Sequence, residues 1–298
     1  MSKQTELNPA EPEQAELINN TPQELCVELR FKAPLTLDTK TQEDILQALS
    51  AVMGGTYGVI QQRTLPASKE ASAALLIMPE RLEATTGGPA ALLISFNVPA
   101  KEPVPAADIT ALSQTWQWDE AESIVPLAMH SITLTSVNTL HLPLLKRLGF
   151  IQLALYALTG LLQPSALHFC QSQCFIDPEA YLENKPGSDE YFLLYGLVNN
   201  RIFTSDNEEE KDVLMDTLGL HLLGMPDIQC FVQAGSLDYA DLAYWIYNLA
   251  AFMCENPNVV DDGDVLVGVN EEDWDVRKDN ALIEPARGVL DINTLPEE

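Results

Sequence analysis

Histidines and cysteines are the side chains best suited to catalysis or metal binding, and the chain has four of the first and five of the second. Three stand together in HFCQSQC, as His168, Cys170 and Cys174. In a strand, His168 and Cys170 face the same side, with Cys174 close enough to reach them. Structural zinc takes four ligands, however, and no second Cys/His pair lies near in sequence. Buried core cysteines are the simpler account, so no metal and no cofactor are expected. His130, His221, Asp227 and Cys230 contain the parts of a His/Asp or His/Cys catalytic pair, but no nucleophile-elbow motif accompanies them. Around the same segment, Asp216, Thr217, Gly219, Gly224 and Asp227 read as caps and turns of a short helix. Asp261, Asp262 and Asp264 lack the alternation and terminal Glu of a calcium loop. Neither phosphate-cradling glycine motif is present.

Charge is the stronger signal. The sequence holds 44 acidic residues against 16 basic ones, for a net charge of −28. Nucleic acid and anionic membrane are therefore excluded as expected partners, because both are gripped by clustered Lys and Arg. Two windows, 206–216 and 261–275, hold six and seven acids with Lys211 as the opposing charge. As bland features they are solubilising loops. As functional ones they form a negative face that steers and orients a basic protein. The residues expected to touch that partner are Asp206, Glu208, Glu209, Glu210, Asp212, Asp261, Asp262, Asp264, Glu271, Glu272, Asp273 and Trp274. Phe203 and Trp274 would supply the apolar anchor that charge lacks.

These residues need a scaffold, and the pattern predicts α+β with antiparallel or mixed sheets and packed helices. Residues 1–21, polar and punctuated by Pro9 and Pro12, read as a disordered acidic tail without a secretory signal. An N-terminal α+β half is expected over 22–127 and a C-terminal half over 128–298. Each fits a strand–helix–strand–strand–helix–strand order, ferredoxin-like, within one body. The centre is a strand at 129–135 followed by a helix over 142–162, apolar on nearly every side. From residue 148 to 162 that helix would reach about 22 Å, short of a bilayer, and reads as a core element. Thr41 with Asp44 reads as a capping box opening a helix that Gly54 and Gly55 stop. A further helix over 236–256 has Leu242, Ile246 and Leu249 on one face. Residues 206–216 read as a loop or helix start, and 215–223 as a short helix. Five scattered cysteines in a chain this long point to reduced thiols and the cytoplasm.

Several segments resemble the bacterial domain-of-unknown-function family 4261. They are the strand, Pro-rich turn and Trp116/Trp118 pair over 94–118, continuing into AMHSITLT. A second is MDTLGLHLLGMPDIQ, starting at Met215, and a third is the closing WDVR with PARGVLD. That family lacks an assigned mechanism, so the resemblance transfers no catalytic residues. Its members occur among bacterial genes for interbacterial toxins and for contact-dependent or type VI secretion. The resemblance thus implies a non-enzymatic cytoplasmic immunity protein that occludes an effector toxin through its acidic surface. A secretion adaptor or chaperone for an effector is the first alternative. An enzyme using His130, His221 and Asp227 is the second.

Overall fold

The computed structural model describes residues 16–82, 88–97, 106–186, 190–204, 212–233 and 235–294. Two sheets carry the architecture, and helices pack between and beside them, which is the expected α+β class. The first sheet contains β1 (Cys26–Phe31), β2 (Ile60–Leu65), β3 (Ala71–Pro79), β4 (Ala91–Asn97), β5 (His130–Val137), β6 (Ala166–Phe169) and β7 (Cys174–Ile176). Its order is β2-β3-β4-β5-β1-β6-β7, with every neighbouring pair antiparallel. The second has β8 (Asn199–Thr204), β9 (Val213–Leu218), β10 (Asp227–Val232), β11 (Val265–Val267), β12 (Asp273–Asn280) and β13 (Gly288–Asn293). It runs β11-β12-β13-β10-β9-β8, with β10 and β13 parallel. Neither order is the ferredoxin-like one expected of each half. A boundary at 127/128 would separate β4 from β5, which pair over six positions. The sheets instead divide the chain between β7 and β8.

Helix α1 (Thr39–Tyr57) begins at Asp38, whose carboxylate accepts the Thr41 amide at 2.7 Å. The cap thus lies three residues before the expected Thr41. Gly54 and Gly55 do not stop the helix, because Tyr57 is buried and its hydroxyl donates to the Lys146 carbonyl. Gly58 ends it in the left-handed region, with φ of 76°. Shorter helices α2 (Ala106–Ser113), α3 (Ala121–Ile124) and α5 (Pro178–Glu183) flank the first sheet's β6–β7 edge, and α6 (Tyr239–Glu255) follows β10. Asp238 caps α6 through the Ala240 amide.

Helix α4 (Leu144–Leu162) is the predicted centre, and eleven of its nineteen residues are buried. At about 28 Å it is long and apolar enough to cross a bilayer by length and composition. Packing gives the better account, because α4 contacts α1, α5, α6 and β5. One apolar cluster runs from Leu29 and Leu134 in the first sheet through Leu155 to Ile228 and Ile292 in the second. One polar side chain of α4, Gln152, is buried and bonded at both ends of its amide. Gln152 donates to the Leu193 and Tyr195 carbonyls and accepts from the Tyr181 hydroxyl at 2.6 Å.

The N-terminal segment is anchored at its inner end. Within the expected tail, Ile18 donates to Asn280, and Asn20 exchanges hydrogen bonds with Gly288. Residues 16–21 therefore lie along β12 and β13, while 1–15 fall outside the described residues.

Candidate functional site

The expected partner-binding acids fall into two groups. Asp206, Glu208, Glu209 and Glu210 lie outside the described residues, and Asp212 is half-buried just before β9. The second group forms a structured edge. Strand β11 ends the second sheet, and its Val265 and Val267 are 55% and 64% exposed. Asp261, Asp262 and Asp264 are exposed in the turn before it, and Glu271 and Asp273 in the turn and strand after it. Backbone amides shape that turn. Asp264 accepts from the Asp261 amide at 2.7 Å, Asp261 from Asp262 at 2.7 Å, and Asp262 from Lys278 at 2.9 Å. Lys278 also forms an ion pair with Asp261, which holds that carboxyl below the ordinary carboxylate range.

Glu272 and Trp274 do not fit the expected contact surface. Glu272 is half-buried. Trp274 is 1% exposed and packs edge-on against Trp245 at 4.8 Å, with Gly268 pressed on its ring. Strand alternation explains the correction: Trp274 and Val276 take the inward positions of β12, leaving Asp273 and Arg277 exposed. Phe203 is half-buried with the Arg201 guanidinium over its ring. Exposed apolar area at this edge comes from Val265 and Val267, which the aromatic-centred reading passed over.

His221 and Asp227 do come together, with Nδ1 and Oδ2 at 2.7 Å. His130 instead opens β5 in the other sheet, opposite Phe31. Asp227 is fully buried and also accepts from Arg287 Nε at 2.9 Å, Thr217 Oγ1 at 2.9 Å and the Leu220 amide at 2.9 Å. Asp216, expected to cap a helix, instead lies inside β9. It takes a two-pronged bond from Arg201 at 2.8 and 2.6 Å and one from Arg287 at 2.5 Å. Arg201, Asp216, Asp227 and Arg287 are each at most 1% exposed. Two guanidiniums and two carboxylates form a closed, charge-balanced lattice that ties β8, β9 and β10 to the segment entering β13. The paired charges hold strands in register, and His221, its side chain 13% exposed, joins them through Asp227.

His168 and Cys170 share a face as expected, but Cys174 leaves it. Cys174 pairs with Phe169 across the β6–β7 turn, and burial pushes its thiol up to about 12. The company of His168 and Cys170 comes from β1, as Glu28, Arg30 and Cys26. Sequence spacing held a clue to this, since CVELR alternates functional and apolar residues.

A cavity of about 320 Å³ opens between the α2–α3 turn, β7 and α6. Trp116, Trp118, Tyr195, Tyr244 and Tyr247 line it, and Asp177 is the one charged group in its described wall. Asn200 at its base donates to the Ala243 carbonyl at 2.8 Å.

Compared with known proteins, residues 216–293 match the model of a family described as Domain of unknown function (DUF4261). The match begins at Asp216, takes in Asp227 and Arg287, and ends at the last residue of β13. It covers three of the four lattice residues and the acidic edge, while Arg201 and the first sheet lie outside it. No curated protein and no solved structure matches the chain.

Proposed function

We propose that this protein is a non-enzymatic binding protein that captures a basic protein partner along the β11 edge. The carrying observation is the open strand itself, with Val265 and Val267 exposed and five exposed carboxylates bracketing them within thirteen residues. An end strand offers backbone groups to an incoming segment, here those other than the Val267 carbonyl, which accepts from Trp245 Nε1 at 3.0 Å. Exposed valines then provide the apolar contact, and the acids select a cationic partner and speed its encounter. The partner class that fits, given the likeness to the domain family, is an antibacterial effector toxin whose basic active cleft the edge would cover. On this reading the protein acts in the cytoplasm as an immunity protein. Delivery of an effector to a secretion apparatus would use the same surface but leave the effector active.

The test is co-expression with toxins encoded beside the gene, followed by complex isolation and growth measurement. The expected result is a stable complex and rescued growth, both lost in a Val265→Asp/Val267→Asp variant that still folds. Association should slow markedly as ionic strength rises, since exposed charges are screened over about 8–10 Å at physiological salt. A complex that forms equally well with the altered edge would overturn the proposal. A complex without rescued growth would point to the adaptor role.

A further inference from the structure

On the first sheet, well away in sequence from the acidic edge, a set of donor atoms converges that the binding function does not use. Strand β1 places Cys26, Glu28 and Arg30 at alternate, half-buried positions, opposite the core-facing Val27, Leu29 and Phe31. Strand β6 pairs with β1 in antiparallel register, Glu28 opposite His168, and so brings Cys170 beside Cys26. The Cys170 sulfur lies 3.6 Å from His168 Nδ1, and His168 Nδ1 lies 3.4 Å from Glu28 Oε2. These three donors all fall within 4.8 Å of one another. The same register sets Cys26 across from Cys170, its sulfur accepting from the Thr135 hydroxyl at 3.8 Å, so a fourth sulfur donor stands on the neighbouring strand beside these three.

Zinc bonds of roughly 2.3 Å to sulfur and 2.0–2.2 Å to nitrogen or oxygen put neighbouring ligands of a tetrahedral ion roughly 3.3–3.8 Å apart. The observed S···N and N···O separations lie in that range. We propose that Cys26, Glu28, His168 and Cys170 form a structural zinc site that clamps β1 to β6. Two thiolates and a carboxylate around a divalent ion leave one negative charge. Arg30 NH2, 2.8 Å from Glu28 Oε2, supplies the balancing positive charge, and it now sits among the donor atoms. His168 is held in orientation by stacking on Phe175 at 4.2 Å, and the Arg30 guanidinium lies over the same ring. In the structure described here Arg30 NH2 also approaches His168 Nδ1 at 3.0 Å, so zinc entry requires the guanidinium to give up that contact and keep Glu28. Binding releases the two thiol protons to solvent, and no oxidant or reductant takes part.

The experiment titrates the full, reduced chain with cobalt(II), then zinc. One equivalent of cobalt should bind with the visible bands of tetrahedral coordination and the near-ultraviolet bands of thiolate ligation, and zinc should displace it. Cys26→Ser and Cys170→Ser should each weaken zinc binding at least tenfold, and His168→Gln should do the same. Cys174→Ser and Cys230→Ser should leave both stoichiometry and spectrum unchanged. The wild-type spectrum is decisive even if a variant fails to fold. Absence of a stoichiometric thiolate–cobalt spectrum would overturn the proposal. So would full zinc affinity in a folded Cys26→Ser/Cys170→Ser variant, or recovery of the chain from cells with those two cysteines joined as a disulfide.

Discussion

The two sheets of this molecule bury their strands by different means. In the first, β1 and β5 alternate cleanly: Val27, Leu29, Ile132 and Leu134 face α1 and α4, and polar residues take the other side. In the second, β9 is buried at all six positions, and two of those are Asp216 and Thr217. A strand covered on both faces ordinarily reads as a continuous apolar run. Here the run is broken by charges that are neutralised inside the protein. One sheet is held chiefly by apolar packing, and the other adds a lattice of paired ions to it.

The largest expected effect separates those two modes. Asp216→Ala removes the carboxylate shared by Arg201 and Arg287 and leaves guanidinium prongs buried without a counter-charge. Breaking a buried ion pair in this way costs about 3–5 kcal/mol, readable as a lower urea midpoint. Replacing both members of the two-pronged pair, as Arg201→Met with Asp216→Leu, should recover most of that loss, because Arg287 keeps Asp227. If the double variant is no more stable than the single one, the lattice contributes more than mutual neutralisation.

The first sheet should lose less from its own worst case. Leu134 is fully buried at the centre of β5, between Val27 and Ile94. Leu134→Ala should cost about 3 kcal/mol through lost burial and the cavity left behind. Unlike Asp216→Ala, it should not be rescued by a second deletion on a neighbouring strand.

That contrast also explains what the sequence disclosed. The first sheet was largely legible, because its alternation is the direct imprint of one buried face. Helix α4 was legible from its apolar run, with its end as expected and its start two residues later. In the second sheet β9 was misread, since an Asp inside an apolar stretch looks like a cap unless its arginine partners are known. Those partners, Arg201 and Arg287, lie fifteen and seventy-one residues away. The same limit hid the Glu28 and Cys26 side of the His168–Cys170 cluster, which exists only through the β1–β6 pairing. Trp274 misled in the other direction: next to acids it looked like an anchor, but strand parity sends it into the core.

A smaller effect tests the polar groups buried in α4. Tyr181→Phe removes the hydroxyl that Gln152 Oε1 accepts at 2.6 Å, leaving that oxygen without this donor in a buried setting. The expected cost is about 1–2 kcal/mol, close to that of one buried hydrogen bond. A loss as large as that from Asp216→Ala would mean that α4 depends on its polar groups as strongly as the second sheet does.

The smallest effect on stability should accompany the clearest effect on binding. Asp273 is exposed at the start of β12, on the outward side of the strand that buries Trp274. No hydrogen bond or ion pair of its carboxylate contributes to the lattice, so Asp273→Asn should leave the thermal midpoint essentially unchanged. Its charge belongs to the edge that the partner meets, and removal should slow association at low salt while leaving dissociation nearly untouched. Stopped-flow mixing at two ionic strengths separates the two rates. A changed midpoint with unchanged association would assign Asp273 to the fold, and the acidic edge would then have no claim to recognition through it. Unchanged stability with slower association would instead set the exposed carboxylates apart from the buried Asp216 and Asp227, which hold the sheet together.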